Sequence, residues 1–277
     1  MNLWELFVAV VLGFVEGLTE FAPVSSTGHM IIVDDFIFKS KELFSQEVAN
    51  TFKVVIQLGS VLAAVFVFKD RFLNLLGLKK NIDGQTEDGS RFKITQLIVG
   101  LLPAAVLGLL FEDYIDEYLF STKTVIIGLV LGAFLMIAAD YLGPRKPKID
   151  TLDKITYKHA LIVGLIQCIS LWPGFSRSGS TISGGVLVGM NHRTASDFTF
   201  IMAVPIMFGA SGISLLKNWE YITSDTIPFF IVGFISAFVF ALIAIRFFLK
   251  LIDKIRLTPF AIYRIVIAAI IYFVFLR

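Results

Sequence analysis

Glu16 to His29 reads E-G-L-T-E-F-A-P-V-S-S-T-G-H, and this stretch decides the fold. Two carboxylates, four hydroxyls, a proline, two glycines and a histidine interrupt an otherwise apolar segment. Far downstream, Gly164 to Ser180 reads G-L-I-Q-C-I-S-L-W-P-G-F-S-R-S-G-S. Laid over Gly13 to His29 without gaps, it puts Gly13 on Gly164, Glu16 on Gln167, Ser25 on Ser176, Thr27 on Ser178 and Gly28 on Gly179. At the centre Ser26 meets Arg177. The copies share a frame and differ in chemistry: carboxylates, hydroxyls and an imidazole in the first, a guanidinium among hydroxyls in the second.

The surroundings say where such a stretch must sit. Of 277 residues, 56% are hydrophobic and 17% charged, and 28 are Phe. Mean hydropathy is +0.81. Soluble domains carry about 25% charged residues, so the composition points to the membrane class. A net charge of +2 gives no case for nucleic acid. The one cysteine, Cys168, excludes an intrachain disulfide and reads as a small buried hydrophobe. Met1 to Val15 lacks a basic n-region and a small-x-small cleavage site, so it reads as mature chain rather than a signal peptide.

Six runs are long enough to span: Thr51–Phe68, Ile94–Phe111, Val125–Tyr141, Phe198–Leu216, Ile227–Leu249 and Pro259–Leu276. Lys53 and Arg264, near run ends, are expected to snorkel toward the interface. Leu3–Val15 and Ala160–Ile169 are about half a bilayer long. Each runs into its Pro/Gly/Ser loop and is followed by another short piece, His29–Val33 and Thr181–Met190. Pro23 and Pro173 interrupt helix by lacking an N–H and crowding the preceding turn. Broken half-helices at matching places in two halves mark re-entrant segments, tolerated where they line a cavity.

The expected fold is therefore an all-α polytopic membrane protein of six transmembrane helices plus two broken re-entrant helical hairpins. It is one membrane domain, 1–277, with an inverted-topology internal repeat over about 1–143 and about 158–277. Basic residues set its orientation. Lys69 to Lys93, Gly143–Lys158 and Lys250–Thr258 are basic, whereas Glu112–Lys123 is acidic and Lys217–Thr226 holds one lysine. With the basic loops inside, the first broken loop enters from outside, the second from the cytoplasm, and both termini lie outside. Gly128-x-x-x-Gly132 permits close helix packing, against an internal helix or a second copy, which leaves a homodimer open.

Glu16 and Glu20, at i and i+4, share a helix face. Two carboxylates at membrane depth are sensible together with a cation between them, with one protonated, or lining an aqueous vestibule. A hard divalent cation, Mg²⁺ or Ca²⁺, with water and phosphate oxygens completing its shell, suits them as metal ligands. Ser25, Ser26, Thr27 and Gly28 offer hydroxyls and backbone N–H groups beside a helix start, an anion cradle beyond the needs of a simple cap. His29, three positions from Ser26, is placed to accept its proton and activate it as a nucleophile. Arg177 needs a counter-ion, either a substrate phosphate or Glu16/Glu20 across the halves. Ser176, Ser178 and Thr181 flank it, and Gln57 is a mid-span lining candidate. Asp197 reads as a cap at a helix start. Trp4, Trp172 and Trp219 read as interfacial or packing residues. The sum is a cavity open to the outside, suited to hydrolysing a phosphate ester or anhydride carried by a lipid.

The two motifs, Glu16-Gly-Leu-Thr-Glu20-Phe-x-Pro-Val-Ser-Ser26-Thr-Gly-His29 and Pro173-Gly-Phe-Ser-Arg177-Ser-Gly-x-Thr181, resemble those of the bacitracin-resistance type of undecaprenyl-diphosphate phosphatase. The resemblance covers nearly the whole chain, with Gln57-Leu58-Gly59 and Phe198 to Gly209 also similar; Asp197 stands where Glu is expected. It implies a multi-pass enzyme of the bacterial plasma membrane that removes the terminal phosphate of undecaprenyl diphosphate. This recycles the lipid carrier for peptidoglycan and confers bacitracin resistance. It also implies divalent-cation dependence, an acidic motif at Glu16 and Glu20, Ser26 as nucleophile, His29 as its proton partner, and Arg177 as diphosphate ligand. A serine phospho-enzyme and a metal-activated water both fit these residues. The alternative class is a transporter or flippase of a polyprenyl phosphate lipid, which would use the same inverted-repeat cavity without hydrolysis.

Overall fold

The computed structural model describes residues 2–78 and 92–275. Lys79, Lys80 and Arg91 of the first basic loop, and Leu276, lie outside the described residues. Helix α1 (Leu3–Thr19) starts at Asn2, whose side chain accepts from Glu5 N while Glu5 reaches back to Asn2 N. It runs past the expected Val15 and carries Glu16 within it; Glu20 is its C-cap, with αR backbone and an N–H bonded to Glu16 O at 2.9 Å. The chain breaks over Phe21 to Ser25 and restarts as α2 (Ser26–Met30). Wide π-helical turns over Ile31–Phe38 extend this limb beyond the expected Val33, and α3 (Ser40–Leu43) leads into α4 (Gln46–Val67). After α5 (Lys69–Leu75) come α6 (Ile94–Leu110), the acidic α7 (Glu112–Tyr118) and α8 (Thr122–Leu142).

The second broken element is α9 (Tyr157–Gln167), continued by a 3-10 turn over Cys168–Leu171, then a loop and α10 (Arg177–Leu187). Helices α11 (His192–Lys217), α12 (Ile227–Ile255) and α13 (Thr258–Phe275) complete the chain. Four helices, α4, α8, α11 and α12, are long and apolar enough to cross a membrane. The two further expected spans, α6 and α13, are apolar but only 17 and 18 residues long. With wide outward-facing apolar surface, such as Leu109, Phe134 and Phe247, the chain is a multi-pass membrane protein.

Helix α1 packs on α12, which also holds α4; α9 packs on α6, and α8 on α13. Helix α10 is wedged among α8, α9 and α11. Its first turn points into the centre of the bundle. Its far end meets the basic loop, where Ile149 and Met190 form an isolated parallel bridge. Phe21, in the first break, is fully buried edge-on to Phe200 at 5.2 Å between centroids, which pins the break into the largest core cluster.

Four expectations are corrected. Arg264 does not snorkel: it is fully buried, and its Nη2 donates to the carbonyls of Gly128 (3.2 Å), Gly174 (2.9 Å) and Phe175 (2.8 Å). Lys53 does not reach for the interface either; its Nζ sits 2.8 Å from buried Asp34 and 3.3 Å from Asp35. A local carboxylate outcompetes the snorkel because it neutralises the ammonium without stretching the chain. Asp197 is no cap: Asn191 caps α11 by accepting from Thr194 N, and Asp197 pairs with Arg193 at 3.3 Å one turn inside. Cys168 is half-buried rather than buried, its Sγ 3.4 Å from Gly164 O.

The Gly128/Gly132 face of α8 is covered internally. A Cβ on Gly132 would lie 2.3 Å from Arg264 Nη2 and 2.5 Å from Phe175 O. Gly174 has φ +88, and a Cβ there would meet Val125 O at 2.3 Å. Both glycines let the second broken loop press onto α8. Trp172 fixes the same loop by donating to Thr124 O at 2.9 Å.

Candidate active site

The two broken loops face each other, and both have the same local conformation. Ser25 (φ 71, ψ 100) caps α2 and Ser176 (φ 71, ψ 115) caps α10. Each hydroxyl accepts from the glycine N–H three residues on, Gly28 at 3.4 Å and Gly179 at 3.2 Å. A left-handed non-glycine residue is strained. Here it turns the chain sharply before Ser26 in one loop and Arg177 in the other, and Arg177 reaches across to the opposite loop.

Those side chains meet at Glu20. The Ser26 hydroxyl donates to Glu20 Oε2 at 2.6 Å, and Arg177 Nη2 donates to Glu20 Oε1 at 2.9 Å. Arg177 also lies 3.1 Å from Met207 S and 5.9 Å from the centre of the Phe21 ring. Its other terminal nitrogen, Nη1, is buried with no hydrogen-bond partner. The Ser178 hydroxyl crosses to Ala22 O at 3.1 Å, tying the loops together.

Two connected cavities surround this cluster. The inner one, 260 Å³, is lined by Glu20, Ser26, Arg177, Ser176 and Gln167, with Ile206 and Met207 forming part of its apolar wall. The outer one, 380 Å³, is lined by Glu16, Asn50, Lys41 and Lys53 and reaches Phe120, Ser121 and Thr122 at the start of α8. Ser26, Thr27 and Gln57 line both, so they form the neck. Gln57 is oriented by Ser211, whose hydroxyl donates to its Oε1 at 3.1 Å.

The carboxyl groups of Glu16 and Glu20 are in contact, as their helical spacing requires. Burial beside a second carboxylate is the situation that a bound cation relieves. Glu16, Glu20 and the neck oxygens form a hard-oxygen donor set that fits such an ion. Among the described residues, no group of three or more His, Cys, Asp or Glu is placed to hold a metal ion. An ion here would therefore take most of its shell from water and substrate.

Three expectations about individual residues are revised. His29 does not pair with Ser26. Its Nδ1 lies 2.7 Å from Ser25 O and its Nε2 2.8 Å from Tyr263 Oη, with the two rings stacked. A carbonyl partner requires Nδ1 to carry the proton, so Nε2 accepts from the tyrosine. The imidazole thus holds the strained Ser25, while Glu20 takes the place beside the Ser26 hydroxyl. Ser178 and Thr181 do not line either cavity, since the Thr181 hydroxyl bonds back to Arg177 O at 2.8 Å. The sequence reading also missed Tyr263, Arg264, Asp34 and Gln167. Gln167 is buried in the inner wall with neither amide atom partnered. Its signal was present, since it occupies the place in the second copy that Glu16 has in the first.

The chain is similar to several curated proteins named undecaprenyl-diphosphatase. One from Geobacillus sp. (strain WCH70) is 70% identical, with 99% of this chain and 100% of that protein covered. One from Bacillus subtilis (strain 168) is 69% identical, with 98% of each covered. One from Anoxybacillus flavithermus (strain DSM 21510 / WK1) is 71% identical, with 99% of each covered. With residues 9–270 matching the family described as bacitracin resistance protein BacA, and the facing loops carrying both of its resembling motifs, the chain belongs to that family.

Proposed function

We propose that this chain hydrolyses undecaprenyl diphosphate to undecaprenyl phosphate and inorganic phosphate at the Ser26–Glu20–Arg177 cluster. The name borne by relatives at 69–71% identity supports the activity. The observation that carries the site is the unpartnered Nη1 of Arg177, a buried cationic donor aimed into a cavity. A buried N–H without a partner is costly, and a phosphate oxygen satisfies it while balancing the charge.

The chemistry follows from the contacts. Glu20 takes the proton of the Ser26 hydroxyl as its oxygen bonds to the terminal phosphorus. The bond from that phosphorus to the bridging oxygen breaks, and the bridging oxygen leaves with the lipid monophosphate. Arg177 stabilises the charge on the phosphate oxygens. Glu20 passes the Ser26 proton to the departing lipid monophosphate and is a carboxylate again. Water then attacks the phosphoserine, and Glu20 accepts the water's proton and returns it to the Ser26 oxygen as inorganic phosphate leaves. A divalent cation, Mg²⁺ or Ca²⁺, held by Glu16 and Glu20 would offset phosphate charge. Gln57 and Thr27 form the polar neck with Ser26; Ser25 and Ser176 line the inner cavity, and Gln167 supplies an amide for the diphosphate. The prenyl tail would pass along the apolar wall between helices.

The arrangement in the membrane is part of the same reading. We infer an inverted repeat of two hairpins and six spans, supported by the matched Ser25 and Ser176 turns. By the charge rule, the mouth near Thr122 faces outward, on the extracytoplasmic side. A carrier for the same lipid has no use for a Ser26 hydroxyl paired with a carboxylate. The test is phosphate release by purified protein in detergent, where there is one compartment and transport is undefined. Release that falls at least a hundredfold in Arg177→Ala is expected; no release by the unmodified protein would return the carrier.

A further inference from the structure

We infer a second anion site at the opposite end of α8, one that takes the phosphate of an anionic phospholipid headgroup. A separate cavity of 440 Å³ lies there, lined by Asp140, Tyr141, Arg145, Val186, His192 and Arg256, among others. Thr122 and Leu142 are the two ends of a 21-residue helix. At 1.5 Å per residue, about 30 Å separates this cavity from the mouth of the outer one.

Its acidic member is already engaged. Asp140 Oδ2 accepts from Leu257 N at 3.0 Å, Thr258 N at 2.7 Å and the Thr258 hydroxyl at 2.6 Å. Asp140 Oδ1 lies 2.7 Å from His192 Nε2. Arg145 and Arg256, by contrast, have no ion-pair partner among the described residues. Two guanidinium groups over a cavity whose carboxylate is saturated leave net positive charge looking for an anion. Arg256 holds a left-handed backbone (φ 57) at the α12–α13 junction, where the chain turns beside the cavity.

The level of the cavity selects a lipid. Tyr141 and Leu142, both 77% exposed, stand at the end of a spanning helix, where the headgroup region begins. Basic pockets between spanning helices on the positive-loop side are sites for anionic headgroups. The cavity is lined by Val186, at the far end of α10, whose first residue is Arg177, and by Met190 just beyond that helix. An occupant there would buttress the helix that carries the phosphate clamp.

The test is native mass spectrometry of the purified full chain titrated with dioleoylphosphatidylglycerol, with dioleoylphosphatidylcholine as the neutral comparison. Arg145→Gln/Arg256→Gln is expected to bind the first phosphatidylglycerol about tenfold more weakly. Lys146→Gln/Lys148→Gln, which removes equal charge from the same loop outside the cavity, is expected to bind normally. Phosphate release in detergent reports folding of each variant. Should the Arg256 change impair folding, Arg145→Gln alone is expected to show a smaller loss in the same direction. Equal binding by all variants, or equal loss in both pairs, would overturn the site. Displacement of the bound lipid by excess inorganic phosphate would assign the site to free phosphate and overturn the lipid.

Discussion

The Ser26 hydroxyl donates to Glu20 Oε2 at 2.6 Å, while His29 bonds to Ser25 O and Tyr263 Oη instead. The same carboxylate holds Arg177 from the other loop at 2.9 Å. Glu20 therefore anchors both side chains, and in the proposed mechanism it is also the base. Glu20→Gln keeps the shape and an acceptor for Ser26 but cannot take its proton. Turnover should fall by about 10²–10⁴, and the melting temperature should drop as well, because Arg177 loses the buried carboxylate that balances its charge. Phosphate-release kinetics beside thermal unfolding checks this; unchanged turnover would remove the base.

Glu16 tests the cation. Treatment with a chelator should abolish phosphate release, and Mg²⁺ or Ca²⁺ should restore it. On the proposed cation site Glu16→Gln removes one of two protein ligands, so about tenfold more metal should be needed for half-maximal rate. An unshifted metal titration would place the ion elsewhere.

Arg264 and Gly132 share one space. Arg264→Met removes the donor to three buried carbonyls, a loss of about 3 kcal/mol or more. Gly132→Ala should also lower the melting temperature, since its new Cβ meets Arg264 and Phe175. Gly209→Ala, with nothing within 4 Å, should leave it unchanged. Thermal unfolding of the three proteins in one detergent decides the matter.

The partnerless amide of Gln167 gives a kinetic prediction. Gln167→Leu should raise KM about tenfold with little change in kcat, because a uniform contact to the diphosphate is lost. Gln167→Leu should not lower the melting temperature, since no hydrogen bond in the protein is broken. An unchanged KM would leave the amide without a role.

Much of this was legible in the sequence. Glu16, Glu20, Ser25, Ser26 and Thr27 lie in one stretch, and the gapless match to Ser176 and Arg177 told which second stretch to look at. Helix spacing was enough to stack the two carboxylates. What the sequence hid were partners brought together by tertiary packing. Tyr263 comes from α13 to His29, and Arg264, one residue on, turns inward to three carbonyls. A lone arginine in an apolar run near its end obeys the snorkel rule unless the fold presents acceptors, and here the broken loop after Pro173 presents two and α8 the third. For Lys53 a hint was available: Asp34 and Asp35 in an apolar limb also require a cation. The Ser26–His29 pairing failed because nearness in sequence does not set ring direction; the strained Ser25 carbonyl captured the imidazole first.

The most direct test of the account is single-site. Undecaprenyl diphosphate is given to purified wild-type protein and to Ser26→Ala with Mg²⁺ present, and inorganic phosphate is followed. The account predicts release by the wild type and a loss of at least about 10³ in Ser26→Ala, with the melting temperature retained. Release by Ser26→Ala near the wild-type rate would contradict it and move the attack to water beside Glu16 and Glu20.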